Sequence, residues 1–155
     1  MFKIMLCIII VASSSAAGFY YSHKLYDRKR ILQNFVLELK KCSTLINYTS
    51  DALYKIFDSN FMNYEFSENV SFEAQWIEML SVYKDKLKAE DIDCLGAFGR
   101  SLGTSDVNSE QKNIMMYIEM LNKCISDAEN DILVKSKLYR IYGFSIGVTV
   151  SILLI

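Results

Sequence analysis

Hydrophobic residues cluster at the two ends of the chain and recur periodically between them. Ile4 to Ala17 reads Ile-Met-Leu-Cys-Ile-Ile-Ile-Val-Ala-Ser-Ser-Ser-Ala-Ala without a charge, and Met1, Phe2 and the Phe19-Tyr20-Tyr21 edge extend it. The run of about 21 residues matches the ~20 that cross a ~30 Å hydrocarbon core. Ile141 to Ile155 is also uncharged. At ~1.5 Å per residue its fifteen residues reach about 22 Å, a short span that needs local thinning or neighbouring helices. Tyr20, Tyr21, Tyr26, Tyr139 and Tyr142 at the inner edges fit an interfacial aromatic belt.

Between the ends, Ile114, Ile118, Leu121, Ile125, Ala128 and Ile132 follow gaps of four and three, a heptad seam that requires a helix packed along one stripe. The pattern predicts one helix from about Val107 into the second apolar run. A matching stripe, Leu32, Phe35, Val36, Leu39, Cys42 and Ile46, follows the first run and predicts an antiparallel partner. Shorter helices are predicted between them: one after an Asp51 N-cap through Phe57, one from Phe72 to Leu87 capped by Ser71, and one from Ala89 to Leu102. Gly103 stands where helices end in a left-handed residue, and Ser105 or Asp106 would cap the last helix. The polar stretch Ser59 to Asn69 reads as a mobile loop, and no strand alternation appears. The expected fold is all-α: an antiparallel helical bundle over residues 23–140, with transmembrane helices at 1–22 and 141–155.

Glycine is costly inside a helix, by ~1 kcal/mol relative to alanine. Gly96, Gly99 and Gly103 therefore suggest close approach of another group, either within the chain or from a partner. Gly143 and Gly147 form a small-residue pair in the second apolar run, able to touch the first run at Ala12 and Ala16 or another protein.

Charge decides the orientation. Lys3, the short apolar run and Ala16-Ala17-Gly18 also fit a cleaved signal peptide. Against that reading, Lys24, Arg28, Lys29 and Arg30 follow the first run while Lys3 alone precedes it, and Lys135, Lys137 and Arg140 precede the second. Counting positive residues places 23–140 in the cytoplasm and both termini outside. The net charge of −1 hides an asymmetry: residues 51–131 hold sixteen acids and seven bases, and the flanks hold two acids and ten bases. The basic part suits anionic lipid. The acidic part is expected to point into the cytoplasm, as a solvated surface or as a dock for a basic partner.

Composition narrows the chemistry. The absence of proline from a 155-residue chain favours helices. A single histidine, His23 beside Lys24, gives no general base, and Ser101 and Ser105 have no histidine or lysine arrangement around them. Cys7, Cys42, Cys94 and Cys124 are widely spaced and read as reduced core thiols, not metal ligands. Glu90-Asp91-Asp93 reads as a helix start favoured by the dipole. No glycine-rich loop precedes a lysine as a nucleotide site requires. The tripeptides Asn47-Tyr48-Thr49 and Asn69-Val70-Ser71 match the glycosylation pattern, which a cytoplasmic segment would not use. No enzyme activity, cofactor, metal or nucleic acid is expected.

One segment is more specific. Phe98-Gly99-Arg100-Ser101-Leu102-Gly103-Thr104-Ser105-Asp106, with Gln111 downstream, resembles the Phe-Gly-x-x-Leu-Gly-x-x-Asp segment of the stage III sporulation protein AB family. The Ala-Gly-Phe end of the first run, the basic Arg28 to Arg30, Glu73-Ala74-Gln75-Trp76 and Gly143-Phe144 resemble that family too. Asp51-Ala52-Leu53 departs from its Thr-Pro-Leu turn, and Lys55 replaces an acidic position, so the proline-fixed start of that helix is lost.

The resemblance implies a mother-cell membrane protein of endospore formers, in a complex joining mother cell and forespore. It also implies a cytoplasmic domain similar to those of type II secretion system F proteins, which contact a secretion ATPase. The implied partners are the cytoplasmic ATPase, stage III sporulation protein AA, and the other membrane subunits. Phe98, Gly99, Leu102, Gly103, Asp106 and Gln111 are then candidate interaction residues, Glu90, Asp91 and Asp93 a candidate docking face, and Gly143 and Gly147 membrane packing residues. The alternative is a membrane-tethered helical receptor or signalling adaptor, which a convergent pocket of buried polar groups would favour.

Overall fold

A computed structural model describes residues 2–48, 61–62, 64–67, 69–102 and 107–154. Among them are four helices: α1 (Phe2–Tyr48), α2 (Phe72–Ser81), α3 (Ala89–Ser101) and α4 (Val107–Leu154). No strand occurs among the described residues, apart from an isolated bridge between Phe61 and Tyr64. Long α1 and α4 match the two apolar-ended helices expected from sequence. The predicted helix after Asp51 and the caps at Gly103, Ser105 and Asp106 lie outside the described residues.

The chain forms two compact units, Met1–Lys29 with Ser126–Ile155, and Arg30–Ile125. In the first, the ends of α1 and α4 run antiparallel. Cys7 meets Ser151, Ser14 meets Gly143 and Ser22 meets Ser136, so one residue number falls as the other rises.

The second unit is built around Trp76, which is fully buried. Its ring meets Phe98 at 5.2 Å, Phe61 at 5.4 Å, Phe72 at 5.6 Å and Phe35 at 6.3 Å. Phe98 continues the chain of rings to Tyr117 at 5.3 Å. Burial of each large apolar side chain contributes about 2–3 kcal/mol, and edge-to-face pairs add about 0.5–1.5 kcal/mol each. The indole N–H donates to the Leu95 carbonyl at 2.8 Å, so the ring is buried without an orphaned donor. Leu32, Phe35, Val36, Leu39 and Cys42 are buried as the α1 stripe predicts, and Ile114, Ile118 and Leu121 as the α4 seam predicts. Farther along that seam, in the first unit, Ala128 is buried as well.

Two local expectations change. The helix capped by Ser71 begins as predicted, its hydroxyl accepting from the Ala74 N–H at 3.4 Å, but it ends at Ser81 and not at Leu87. From Val82 to Lys86 the backbone turns through bonds to the third residue back, including Tyr83 to Leu80 at 3.0 Å. Those turns are tighter than an α-helix. They hold Tyr83 edge-on to Phe35 at 5.6 Å and keep Leu87 buried. The second change is in the stretch read as a mobile loop, where Phe61 and Phe66 are buried against the core. Gln75 clamps it: its side-chain carbonyl accepts from the Ser67 N–H at 2.6 Å, and its amide donates to the Ser67 and Val70 carbonyls at 2.8 Å. Met62 sits at φ 53°, a left-handed conformation that disfavours a large side chain, and its carbonyl accepts from the Tyr83 hydroxyl at 3.3 Å.

Candidate anchoring seam and interaction surfaces

The first unit inverts the polarity of a water-soluble helix pair. Between its two helices lie Ser14, Gly18, Ser22, Ser136, Gly143, Gly147 and Ser151. Outward point Ile8, Ile9, Phe19, Phe144, Ile146, Ile152 and Leu153, all well exposed. Small residues let the backbones touch: a Cβ on Gly143 would stand 2.9 Å from Gly18 Cα, and one on Gly147 2.9 Å from Val11 Cα. The glycine pair therefore packs on Val11, Ser14 and Gly18. Ala12 and Ala16, expected as its counterparts, are exposed, because α1 turns its 7-11-14-18-22 face inward.

Hydroxyls bridge the rest of the seam. The Ser22 and Ser136 oxygens are 3.0 Å apart, Arg140 Nε donates to Ser22 Oγ at 3.2 Å, and the Ser151 hydroxyl donates to the Cys7 carbonyl at 3.3 Å. Arg140 also lies over the Phe19 ring at 5.6 Å. Within α1, the stretch Met5–Leu45 contains a window long and apolar enough to cross a membrane. It is the one such helix among the described residues.

The seam ends in ions that sequence reasoning separated. Arg28 is 4% exposed and donates to Asp127 Oδ2 at 3.1 Å and to Asp131 Oδ2 at 3.2 Å. Lys29 pairs with Glu129 at 3.0 Å, and Lys135 pairs with Asp131. Asp127, Glu129 and Asp131 thus answer basic residues of their own unit, Asp131 buried and the other two half exposed. The signal was present: Arg28 and Lys29 face three acids at matching depth once the helices are read as antiparallel.

The motif segment is divided between core and surface. Phe98 and Leu102 are buried, and Gly99 lies against Trp76, where a Cβ would stand 2.6 Å from Cγ. Gly99 therefore serves intramolecular packing, not a partner's approach. Ser101 Oγ donates to the Phe98 carbonyl at 2.9 Å and accepts from Asn113 at 2.9 Å, tying α3 to α4. Gln111 is half-buried, and Gly103 and Asp106 lie outside the described residues.

Of the expected acidic docking face, Glu90 and Asp93 are exposed but Asp91 is 0% exposed. Its carboxylate accepts the Lys88 N–H at 3.0 Å, reaching back over the start of α3 as in a capping box. Asp91 is a structural cap and is removed from that face.

Burial pushes the Cys42 thiol up to about 12, with Glu38 adding to the effect. Cys94 is raised by burial and then by Asp91. Both thiols stay protonated near neutral pH, as core fillers do. Tyr64 is raised by its hydrogen bond to Glu78, at 2.8 Å.

Between α2 and α3 lies an open groove of about 320 Å³, lined by Ile77, Leu80, Ile92 and Gly96 with Lys84, Asp93 and Arg100 at its edge. The sequence pattern did not reveal it, because periodicity marks apolar positions without showing which of them line an open groove.

Comparison with protein families matches residues 60–155 to the model of stage III sporulation protein AB. The chain belongs to the stage III sporulation protein AB family. The match takes in α2, α3 and α4, hence Trp76, Gly99 and the Gly143–Gly147 side of the seam. Membership ties the chain to sporulation, as the Phe98 to Asp106 segment suggested. No curated protein and no solved structure matches it.

Proposed function

We propose that the chain is a non-enzymatic, two-span membrane subunit of the channel or secretion complex that joins mother cell and forespore. In this reading it is a platform that docks the cytoplasmic ATPase, stage III sporulation protein AA, and meets other subunits of the stage III complex. The observation that carries it is the inverted seam of the first unit. Serines and glycines inside, with isoleucine, phenylalanine and leucine outside, are stable in lipid and costly in water. Residues 141–155 then form the second span, short but assisted by close contact with α1. Residues 23–140 form the cytoplasmic bundle, similar in kind to a type II secretion F domain.

The ATPase would meet Glu90 and Asp93, which are exposed and make no ion pair among the described residues. Charge reversal there, E90K with D93K, is expected to abolish ATPase capture by the full chain while leaving its melting temperature unchanged. Undiminished capture by that folded variant would remove the docking reading.

A further inference from the structure

We propose that the α2–α3 groove receives an amphipathic helix of a partner protein whose apolar face carries a carboxylate. Arg100 and Lys84 would hold the carboxylate, and Ile77, Leu80 and Ile92 the apolar residues. This goes beyond ATPase docking at Glu90 and Asp93, because it calls for a partner surface of opposite sign.

Three observations converge. First, the two described glycines of α3 have different causes. Gly99 makes room for Trp76, but a Cβ on Gly96 would meet nothing within 4 Å except Arg100 Nη1, at 3.5 Å. No internal packing demands a glycine there, although it costs the helix ~1 kcal/mol. The Arg100 side chain lies back along the helix toward Gly96, and both residues line the groove.

Second, the cations are available. Arg28, Lys29, Lys41 and Lys135 each make an ion pair. Neither Lys84 nor Arg100 makes one among the described residues, though Asp93 lines the same groove. Two cations against one carboxylate leave the edge net positive, in a segment that is otherwise acidic. Charge complementarity therefore selects an acidic occupant, and a guanidinium suits a carboxylate in fork geometry.

Third, the floor is apolar and wet: Ile77 is 50% exposed. A free anion or a lipid headgroup would satisfy the cations and leave that floor in water. A helix laying apolar side chains into the groove covers both.

The test uses the full chain in sporulating cells, with a photo-crosslinking amino acid at Ile77 and sequencing of the attached peptide. The expected peptide is a helical segment with apolar residues at three- and four-residue spacing and at least one Asp or Glu among them. Its yield should fall at least about tenfold in K84E/R100E and in G96L, and stay unchanged in E90K. A Cβ at position 96 meets only Arg100 Nη1, and the rest of the leucine in G96L fills the groove itself; R100Q provides a second, milder variant with the same direction. Retained ATPase capture in K84E/R100E separates this groove from the acidic face. No crosslink, a crosslink to lipid, to a second copy of this chain or to a basic segment, or a yield indifferent to K84E/R100E, would overturn the proposal.

Discussion

The indole of Trp76 occupies the space that a side chain on Gly99 would need: a Cβ there would overlap Cδ1 and stand 2.6 Å from Cγ. The same ring is fixed by its hydrogen bond to Leu95 at 2.8 Å, so it cannot slide away without leaving a buried donor unpaired. Even alanine at position 99 should therefore displace the ring. G99A is expected to destabilise the domain by about 1–3 kcal/mol, the range for overpacking a filled core. W76F, which removes bulk and the hydrogen bond, should partly rescue it. Thermal melts of the two single variants and the double variant check this, and an unperturbed G99A would contradict it.

Arg28 and Asp131 form a nearly buried pair at 3.2 Å, with Asp127 and Lys135 extending it. Removing the arginine leaves a buried carboxylate with one lysine, a loss of about 3 kcal/mol by analogy with broken buried pairs. R28A and D131A should be strongly non-additive, with a coupling above about 1 kcal/mol in a double-mutant cycle. Additive effects would mean that the pair is not shared.

The register of the first unit can be locked covalently. Ser22 and Ser136 place their oxygens 3.0 Å apart across the seam. Replacing both with cysteine should give a disulfide under mild oxidation, visible as faster migration of the non-reduced chain. A control pair, H23C with S136C, should crosslink far less, because His23 lies at the same level as Ser22 but is turned outward.

Thiol chemistry should follow burial. Cys42 is raised from 9.0 to about 12 in the fold. A raised thiol binds its proton more tightly folded than unfolded, so its contribution to stability is complete below about pH 9 and is lost as pH climbs toward 12. Iodoacetamide at pH 8 should modify Cys124, which is half-buried, well before the buried Cys42 or Cys94. Equal rates for Cys42 and Cys124 in the native chain would contradict the packing.

Much of this was legible in the residues because helical periodicity is a local signal. The seam from Ile114 to Ala128 and the stripe from Leu32 to Cys42 needed only the 3.6-residue repeat to be read as buried faces. The Ser71 cap was equally local. Asp91 does stand at a helix start as read, but its place on a docking face fails, because only the turn before α3 distinguishes an exposed dipole partner from a buried capping box. Ala12 and Ala16 were chosen for size, but the inward face of α1 is set by which turn meets Gly143. The Arg28–Asp131 pair joins residues about a hundred positions apart, so net-charge counting assigned its members to opposite regions. The clamp by Gln75 and the groove beside Gly96 depend on side-chain direction, which periodicity does not encode.

The central claim is that an inverted helical seam sits in lipid and leaves residues 23–140 on the cytoplasmic side. It is tested most directly with V82C, because Val82 is 69% exposed and outside the helices. Labelling with a membrane-impermeant maleimide in intact and in permeabilised cells, with the native thiols as baseline, gives the reading. The account predicts no signal above baseline in intact cells and strong labelling after permeabilisation. Strong labelling of V82C in intact cells would contradict it.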